Sequence, residues 1–382
     1  MKTAERSRRV LVLADVPIWT LPGLERFARS GPYATWLKSL VPEFEGTGGL
    51  ELHWVVFSKE VDQPFTHRVW GQSFHVLPRW KKLLSMVSGY HFEVRRIQSV
   101  CDEVEPDLIH AWGSEDVYGW ACRNLRFGGP RLFTLQGCLT EYLRIIGGGA
   151  LFRLQAAYEK PTIRSFSVAT AESPQAADLL RAIQPAIDVT IIDYGVDQLF
   201  HDQEWSPCRE PTLVWVGAVT SRKGILDAVE AFSRPELSHV KLQIVGEGDM
   251  LEEMRRKATA NVEWLGKLDR IEVAAKLAGA WGFLMPTHAD TGPTVVKEAR
   301  VVGLPVITTT AAGASCYIED GRSGHVIEPG DVDAMVEGVR SLSSSLDRCL
   351  EMGRCNWEET RSSLRSEATA AAFADLYRRL VT

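Results

Sequence analysis

The hydrophobic pattern of the first half of the chain alternates between short apolar runs and longer amphipathic segments. Short runs that are apolar throughout are typical of strands buried on both faces of a parallel sheet, whereas amphipathic spacing is typical of helices. The apolar runs predict strands at residues 10–14, 52–57, 107–111, 131–135 and 167–171. The amphipathic segments predict helices at residues 33–40 and 92–103. Strands that alternate with helices build right-handed βαβ units, so we expect a parallel α/β sheet.

The same alternation starts again after residues 202–211, where two prolines among charged residues indicate a linker. Strands are predicted at residues 212–216, 240–245, 262–265, 282–285 and 305–309. Helices are predicted at residues 224–232, 250–258, 273–278 and 294–301. A last amphipathic helix is predicted at residues 365–380. The second half therefore has the pattern of a second doubly wound sheet.

The predicted architecture is α/β, with two Rossmann-like parallel-sheet domains that face each other across a cleft. We expect one domain at residues 1–200, a second at residues 201–362, and a C-terminal helix at residues 363–382 that packs back onto the first domain. Open α/β sheets bind ligands at the carboxyl ends of their strands. Two facing sheets would give one deep site with two walls, which suits the joining of two substrates.

Composition and charge restrict the kinds of ligand. The chain has 382 residues, of which 45% are hydrophobic and 24% charged, values typical of a globular protein with two substantial cores. The net charge of −6 argues against a nucleic-acid partner. Residues 1–197 carry 22 basic and 22 acidic residues, so the second half holds the whole net charge. An anionic ligand of that half needs a local cluster of amides and basic side chains.

The cysteines and the apolar runs predict a cytoplasmic protein without structural metal. The seven cysteines are scattered, odd in number and without a CxxC pair, so neither a zinc site nor a disulfide framework is expected. The first apolar run has five residues, fewer than a signal peptide uses, and is expected to be a buried strand. No apolar stretch approaches the roughly 20 residues of a membrane span.

The first candidate for ligand chemistry is the loop from Gly217 to Gly224, between a predicted strand and a predicted helix. Helix N-terminal amides suit phosphate, and Lys223 beside Arg222 adds a compact charge that suits a diphosphate. The alternative is an ordinary loop with a solvated basic pair.

A second candidate is the turn that runs from Gly246 to Asp249 and also contains Gly248. Glycine there allows close approach of the backbone to a ligand. A plain turn at the end of a strand would have the same sequence.

The third candidate is the segment from Asp290 to Glu298, which follows a buried strand. Pro293 suits the first turn of a helix, and Gly292 leaves room for a ligand at the helix N-terminus. Asp290 can accept hydrogen bonds from sugar hydroxyls, and Glu298 can bind a ribose diol. The alternative is that Asp290 only caps the helix and Glu298 pairs with Arg300 or another base.

Taken in order, these motifs resemble the retaining glycosyltransferases of family 4, which have the GT-B fold. The resemblance covers residues 190–360 well and residues 1–190 loosely. It rests on the following segments: Arg222-Lys223-Gly224, Gly246-Glu247-Gly248-Asp249, Asp290-x7-Glu298, Tyr194-Gly195-Val196-Asp197 and Gly303-Leu304-Pro305-Val306-Ile307. It implies a C-terminal domain that binds a nucleotide-sugar donor and an N-terminal domain on the acceptor side.

The resemblance also implies a role for each motif residue. Asp290, Glu298 and Lys223 would form the catalytic set: Lys223 holds the donor diphosphate, Asp290 the sugar and Glu298 the ribose. The other implied donor-binding residues are Gly217, Arg222, Gly246, Lys267, Leu268, Thr291, Gly292, Pro293 and Thr294. The donor would be a UDP- or GDP-sugar, the acceptor a glycan, a glycolipid or a small molecule, and no metal or other cofactor would be required.

The acceptor-side candidates are Gly31, Pro32, His110, Gln136 and Glu141. By the resemblance, Gly31-Pro32 is an altered form of the family's acceptor loop. His110 ends a predicted strand and can either touch an acceptor or be a hydrogen-bonded structural histidine. Three residues depart from the family pattern: Ala218 replaces a loop arginine, Asp290 replaces a glutamate, and Gln136 stands where many members have a histidine.

Two other functions share this architecture. One is a non-catalytic nucleotide-sugar-binding protein, which the three departures favour. The other is a sugar-nucleotide 2-epimerase, for which only His110 and Glu141 are available as acid and base. The stretch from Arg79 to Leu84, followed by Arg95-Arg96, is basic with interleaved apolar residues. It is either a solvated helix face or a peripheral contact with the inner face of a membrane, as some family members make with lipid-linked acceptors.

Overall fold

The computed structural model describes residues 6–27 and 35–381. The chain forms two compact units. The N-terminal unit contains the chain up to Gly195 and from Ser366 onward, and the C-terminal unit is Val196–Arg365. Each unit is built around one largely parallel sheet.

The sheet of the N-terminal unit has the strand order β3-β4-β2-β1-β5-β6-β7-β8, parallel except for the β3–β4 pair. Its strands are β1 (Arg8–Leu13), β2 (Leu50–Ser58), β3 (Phe65–Val69), β4 (Gln72–Pro78), β5 (Leu108–Trp112), β6 (Arg131–Thr134), β7 (Val168–Ala171) and β8 (Asp188–Ile191). Its helices up to that point are α1 (Thr35–Leu40), α2 (Lys82–Val87), α3 (His91–Val104), α4 (Val117–Asn124), α5 (Leu139–Ile146), α6 (Ala150–Ile163) and α7 (Pro174–Ile183).

The C-terminal unit has a parallel sheet of order β11-β10-β9-β12-β13-β14. Its strands are β9 (Thr212–Val216), β10 (Lys241–Val245), β11 (Val262–Gly266), β12 (Gly282–Met285), β13 (Val306–Thr309) and β14 (Gly324–Ile327). Its helices are α8 (Gln198–His201), α9 (Ile225–Phe232), α10 (Leu251–Lys257), α11 (Arg270–Ala278), α12 (Thr294–Val302), α13 (Val332–Ser343) and α14 (Leu346–Thr360). The five strands predicted for this half are present, within one residue at each end.

Both sheets are buried on two faces, which confirms the doubly wound α/β class. Along β1, Leu11 and Leu13 enter one apolar core, whereas Val10 and Val12 enter the core on the opposite face. Successive side chains of a strand point to opposite faces, so a strand covered on both sides must be apolar throughout. The short apolar runs of the sequence follow from this arrangement.

The last helix, α15 (Ser366–Leu380), belongs to the N-terminal unit. Phe373 and Tyr377 are fully buried in the core on one face of the sheet. At the start of the helix, the Thr369 hydroxyl accepts from the Gly195 amide at 2.9 Å and donates to the Asp193 carbonyl at 2.8 Å. An apolar face and two hydrogen bonds therefore hold α15 against the rest of the N-terminal unit.

Candidate active site

The polar motifs of the C-terminal unit gather at the carboxyl edge of its sheet, where the strand order reverses. From β9 the chain adds β10 and β11 on one side, and then β12, β13 and β14 on the other. The loops after β9 and β12 therefore diverge from neighbouring strands and leave a crevice. In open α/β sheets, this switch point is where ligands bind.

Two loops at this edge are packed backbone against backbone. Gly246 has φ +138°, and a Cβ atom there would lie only 1.8 Å from the Gly217 carbonyl oxygen. Hydrogen bonds join the same loops, from the Gly217 amide to the Val245 carbonyl at 3.0 Å and from the Val219 amide to the Glu247 carbonyl at 3.0 Å. Gly246 is thus needed because the two loops are in contact. The sequence analysis had left open whether this glycine makes room for a ligand or belongs to a plain turn.

Lys223 and Asp290 meet across the switch point. The Lys223 ammonium and the Asp290 carboxylate form a hydrogen-bonded ion pair, and Nη1 of Arg222 lies 3.4 Å from the same carboxylate oxygen. Arg222 Nη1 also donates to the Ala289 carbonyl at 2.7 Å. Side chains from the loops after β9 and β12 are therefore in direct contact.

The environment keeps the Asp290 carboxyl ionised. Burial by itself raises the pKa of Asp290, but the charges of Lys223 and Arg222 outweigh burial and hold the pKa below its ordinary value. The Gly292 amide assists by donating to Oδ1 of Asp290 at 3.3 Å. The result is a buried carboxylate with two basic side chains on one oxygen.

The segment after Asp290 leads directly into α12. The Asp290 amide donates to the Ala311 carbonyl at 3.2 Å, and the Gly313 amide donates to the Asp290 carbonyl at 2.8 Å, so the loop is tied to the segment after β13. The sequence analysis had placed Pro293 in the first turn of α12. In the structure it is the N-cap residue of that helix. Thr294 is the first helical residue. Thr291, Gly292 and Pro293 are all buried beside the helix N-terminus.

Glu298 lies on α12 and has a charged partner that the sequence analysis did not identify. The side chain is 6% exposed, and its Oε1 lies 3.0 Å from Nη2 of Arg270, the first residue of α11. Arg270 Nε is also 3.5 Å from Oδ2 of Asp197. Burial raises the pKa of Glu298, and Arg270 opposes that rise only in part. The expected alternative partner, Arg300, pairs instead with Glu359 on α14 at 2.9 Å.

Lys267 and Leu268 follow β11 at the same edge of the sheet. Lys267 is exposed and Leu268 half-buried, ahead of the Asp269 cap of α11. Among the described residues, no group of three or more His, Cys, Asp or Glu side chains is arranged to hold a metal ion.

The N-terminal unit has its own switch point, between β1 and β5. Gly113, just after β5, has φ +80°. A Cβ atom on Gly113 would lie 2.8 Å from Oε1 of Gln136 and even closer to Oε2 of Glu115. The side chains of Glu115 and Gln136 therefore both lie next to the Gly113 backbone, at the carboxyl edge of this sheet. The sequence analysis predicted Gln136 as a site residue and missed Glu115.

Glu115 is a half-buried acid whose Oε2 atom is shielded from solvent. Burial raises its pKa to about 7, and the negative charge of Glu159 adds to the rise. Oε2 of Glu115 has no hydrogen-bond partner among the described residues. Glu159 is itself fully buried and accepts from the Ser114 hydroxyl at 2.9 Å and from the Leu139 amide at 2.7 Å. The pair is a concentration of acidic groups at the edge where ligands of such sheets bind.

One of the acceptor-side predictions needs correction. His110 is fully buried inside the unit, where its ring nitrogens lie 2.7 Å from the Tyr377 hydroxyl and 2.6 Å from the Thr134 hydroxyl. Burial lowers its pKa well below the ordinary value, so His110 is a neutral structural residue and does not reach an acceptor. Glu141 forms hydrogen bonds of 2.6 and 2.9 Å with Arg144, which lower its pKa. Gly31 and Pro32 lie outside the described residues.

Both units match known protein families. Residues 34–198 match the model of "Glycosyltransferase Family 4", and residues 210–345 match that of "Glycosyl transferases group 1". The glycogen synthase of Mycobacterium tuberculosis is 28% identical over 289 residues, which are 71% of this chain and 68% of that protein. A GDP-mannose-dependent alpha-(1-6)-phosphatidylinositol monomannoside mannosyltransferase of the same organism is 29% identical over 184 residues, 44% of this chain and 48% of that protein.

Solved structures show the same fold. Sucrose-phosphate synthase from Thermosynechococcus elongatus superposes with a TM-score of 0.81 at 18% identity, covering 98% of this chain and 99% of that chain. Anabaena HepE in complex with UDP-glucose superposes with a TM-score of 0.70 at 15% identity, covering 97% and 100% of the two chains.

These findings define a glycosyl-transfer enzyme with the GT-B fold. The chain belongs to glycosyltransferase family 4.

Proposed function

We propose that this protein transfers a sugar, with retained anomeric configuration, from a nucleotide-sugar donor to a glycan, glycolipid or small hydroxylated acceptor. The observation that carries the proposal is the contact of Lys223, Arg222 and Asp290 at the switch point of the C-terminal sheet. Two cations suit the donor diphosphate, and a carboxylate beside them suits the hydroxyls of the attached sugar.

In this proposal, diphosphate and carboxylate compete for the same two cations. In the structure, one Asp290 oxygen contacts both Lys223 and Arg222. A bound diphosphate would take over these partners, because it carries more negative charge and more acceptor oxygens than one carboxylate. Asp290 would then be released to accept hydrogen bonds from the sugar. Stabilisation of the departing diphosphate by Lys223 and Arg222 would lower the barrier of transfer.

In this proposal, the remaining donor contacts come from other residues at the carboxyl edge of the C-terminal sheet. Glu298 would bind the ribose diol, and the exposed edge formed by Lys267 and Leu268 would face the base of a UDP- or GDP-sugar. Gly217 and Gly246 would line the diphosphate, and Thr291, Gly292, Pro293 and Thr294 would line the sugar. Positioning and electrostatic stabilisation supply the catalysis in this scheme, which requires no metal.

On the acceptor side, we propose Gln136 together with Glu115, which takes the place of His110 in the predicted set. Both side chains lie over Gly113 at the carboxyl edge of the N-terminal sheet. The amide of Gln136 can donate a hydrogen bond, and the carboxyl of Glu115 exchanges its proton close to neutral pH. An epimerase is less well supported, because His110 is buried and Glu141 is paired with Arg144.

Replacement of Lys223 by alanine tests the donor site. We expect the affinity for the preferred nucleoside diphosphate to fall by about 1.5–3 kcal/mol, because a charge-assisted contact with phosphate is lost. Calorimetric titration with UDP, GDP and ADP, each with and without EDTA, would measure this change and identify the base. Lys257→Ala removes an exposed lysine that pairs with Glu253 on α10 and should leave the affinity unchanged. Equal affinities of Lys223→Ala and wild type would remove Lys223 from the site.

We also propose a peripheral membrane contact through an apolar surface around α2. The surface consists of five exposed side chains: Trp80 (41%), Leu83 (56%), Leu84 (57%), Val87 (71%) and Phe92 (44%). Trp80 and Phe92 stack at 4.6 Å, and the basic side chains of Lys81 and Arg95 are exposed beside them. Apolar side chains flanked by basic ones suit an anionic lipid surface at the inner face of a membrane. None of the helices in the described ranges is long and apolar enough to cross a bilayer.

Substitution of the α2 surface tests this contact. A variant with Leu83→Gln, Leu84→Gln and Val87→Gln should bind vesicles of phosphatidylcholine with roughly one-third phosphatidylglycerol at least about tenfold more weakly than wild type, because less apolar area is buried in the lipid. Vesicle sedimentation would measure the binding. A matched variant with Leu226→Gln, which changes an exposed leucine on α9, should bind like wild type. Wild-type protein that stays in the supernatant would contradict the proposal.

A further inference from the structure

Arg270 lies between two carboxylates, those of Glu298 and Asp197, next to the proposed ribose position. Arg270 contacts Glu298 at 3.0 Å and Asp197 at 3.5 Å. Its guanidinium carbon lies 4.8 Å from the centroid of the Phe200 ring, and Phe200 is fully buried. The guanidinium is therefore fixed by an aromatic face and two acids that come from different segments of the chain.

Arg270 is the cation that contacts the Glu298 carboxylate. Arg270 lowers the pKa of Glu298, whereas burial and the charge of Asp197 raise it. Two other ionisable groups nearby have contacts of their own. On α12 itself, Arg300 pairs with Glu359 of α14, and His201 of α8 lies 3.0 Å from the Leu364 carbonyl oxygen. Loss of Arg270 would thus leave Glu298 buried beside Asp197 without this cation.

We propose that Arg270 is a positioning residue that orients the Glu298 carboxylate and so sets the preference of the donor site for ribose. The inference rests on the proposed role of Glu298. An ionised carboxylate accepts hydrogen bonds from both hydroxyls of a diol, whereas a protonated carboxyl has given up part of that capacity. In this proposal Arg270 acts through Glu298, so its substitution should affect ribose recognition and spare the diphosphate contacts.

The test compares ribonucleotides with their 2′-deoxy counterparts. UDP, GDP and ADP, and dUDP, dGDP and dADP, would be titrated by calorimetry into wild type, Arg270→Gln and Arg270→Lys between pH 6 and pH 9. We expect wild type to prefer the ribonucleotide by about tenfold, as for one lost hydrogen bond to a charged group. Arg270→Gln should lose most of that preference at pH 7 and bind the deoxynucleotide as wild type does. Loss of the Arg270 charge should raise the pKa of Glu298 further, so the ribose preference of Arg270→Gln should be stronger at pH 9 than at pH 6.

Arg270→Lys keeps a positive charge and should retain part of the ribose preference at pH 7, which covers the case that Arg270→Gln does not fold. Arg340→Gln is the control, since Arg340 is exposed and pairs with Glu337 on α13. Equal weakening of ribo- and deoxynucleotide, or a ribose preference that neither Arg270 substitution changes, would overturn the proposal. If wild type bound none of the six nucleotides, the proposed function itself would fail, which is a distinct result.

Discussion

Replacement of Asp290 by asparagine is expected to have opposite effects on binding and on transfer. The affinity for the free nucleoside diphosphate should rise by about tenfold, because Lys223 and Arg222 no longer have a carboxylate that competes with phosphate. Turnover of the nucleotide sugar should fall by about 10²–10³-fold, because a charged contact with the reacting sugar is lost. Calorimetry with the nucleoside diphosphate and release of that diphosphate from the nucleotide sugar measure the two quantities.

The opposite signs separate this mechanism from simple damage to the site. A distorted loop would weaken binding and slow transfer together. Asp333→Asn is a matched control, because Asp333 is 90% exposed and pairs with Arg234, and neither residue belongs to a motif of the candidate site. Weaker diphosphate binding by Asp290→Asn would contradict the competition between carboxylate and phosphate. Unchanged turnover would remove Asp290 from the catalytic set.

Replacement of Glu115 by glutamine is expected to stabilise the N-terminal unit at alkaline pH. The pKa of Glu115 is raised to about 7 in the folded protein, so the folded state binds this proton more tightly than the unfolded chain does. The stability that the proton provides is present below the ordinary pKa of glutamate and is lost as pH rises through about 7. Relative to wild type, Glu115→Gln should therefore gain up to about 3 kcal/mol between pH 4.5 and pH 8.

Hydrogen exchange in peptides that cover β5 and β6 would measure the local free energy of opening at both pH values. Glu45→Gln, in an exposed turn of the same unit, should show no such pH-dependent gain. If Glu115→Gln and wild type changed in parallel across this pH range, the buried carboxyl would have to titrate at its ordinary pKa. The acceptor-side role proposed for Glu115 would then lose its support.

Much of the fold could be predicted from the sequence because its strands are buried on two faces. Strands β9 and β12 begin and end at the predicted residues, since their apolar runs stop where the sheet reaches solvent. The antiparallel β3 and the following β4 were not predicted. Strand β4 carries Gln72, Ser73 and His75 among its apolar residues, and these polar side chains are buried. A strand that buries polar groups does not have the apolar run that marks the other strands.

The motif residues of the candidate site could be predicted from the sequence, whereas the side-chain contacts between residues could not. Lys223 and Asp290 stand out in the sequence because they follow strands and precede helices, which is where parallel sheets bind ligands. His110 stands in the same position, at the end of an apolar run, and the sequence left open whether it contacts an acceptor or is a structural histidine. Its hydroxyl partner Tyr377 is 267 residues away along the chain, so no local pattern could reveal that the histidine is satisfied inside the core.

The sequence by itself determined the alternation of strands and helices, the two-sheet α/β architecture and the loops that carry the motif residues, because these depend on local periodicity and on short-range turn chemistry. Only the tertiary structure decided which charges meet. Arg270 reaches Glu298 and Asp197 because α8, α11 and α12 pack side by side, and Glu115 meets Gln136 because β5 and β6 are neighbours. Burial at these contacts depends on atoms from distant parts of the chain. It raises the pKa values of Glu298 and Glu115 and makes these residues candidates for function.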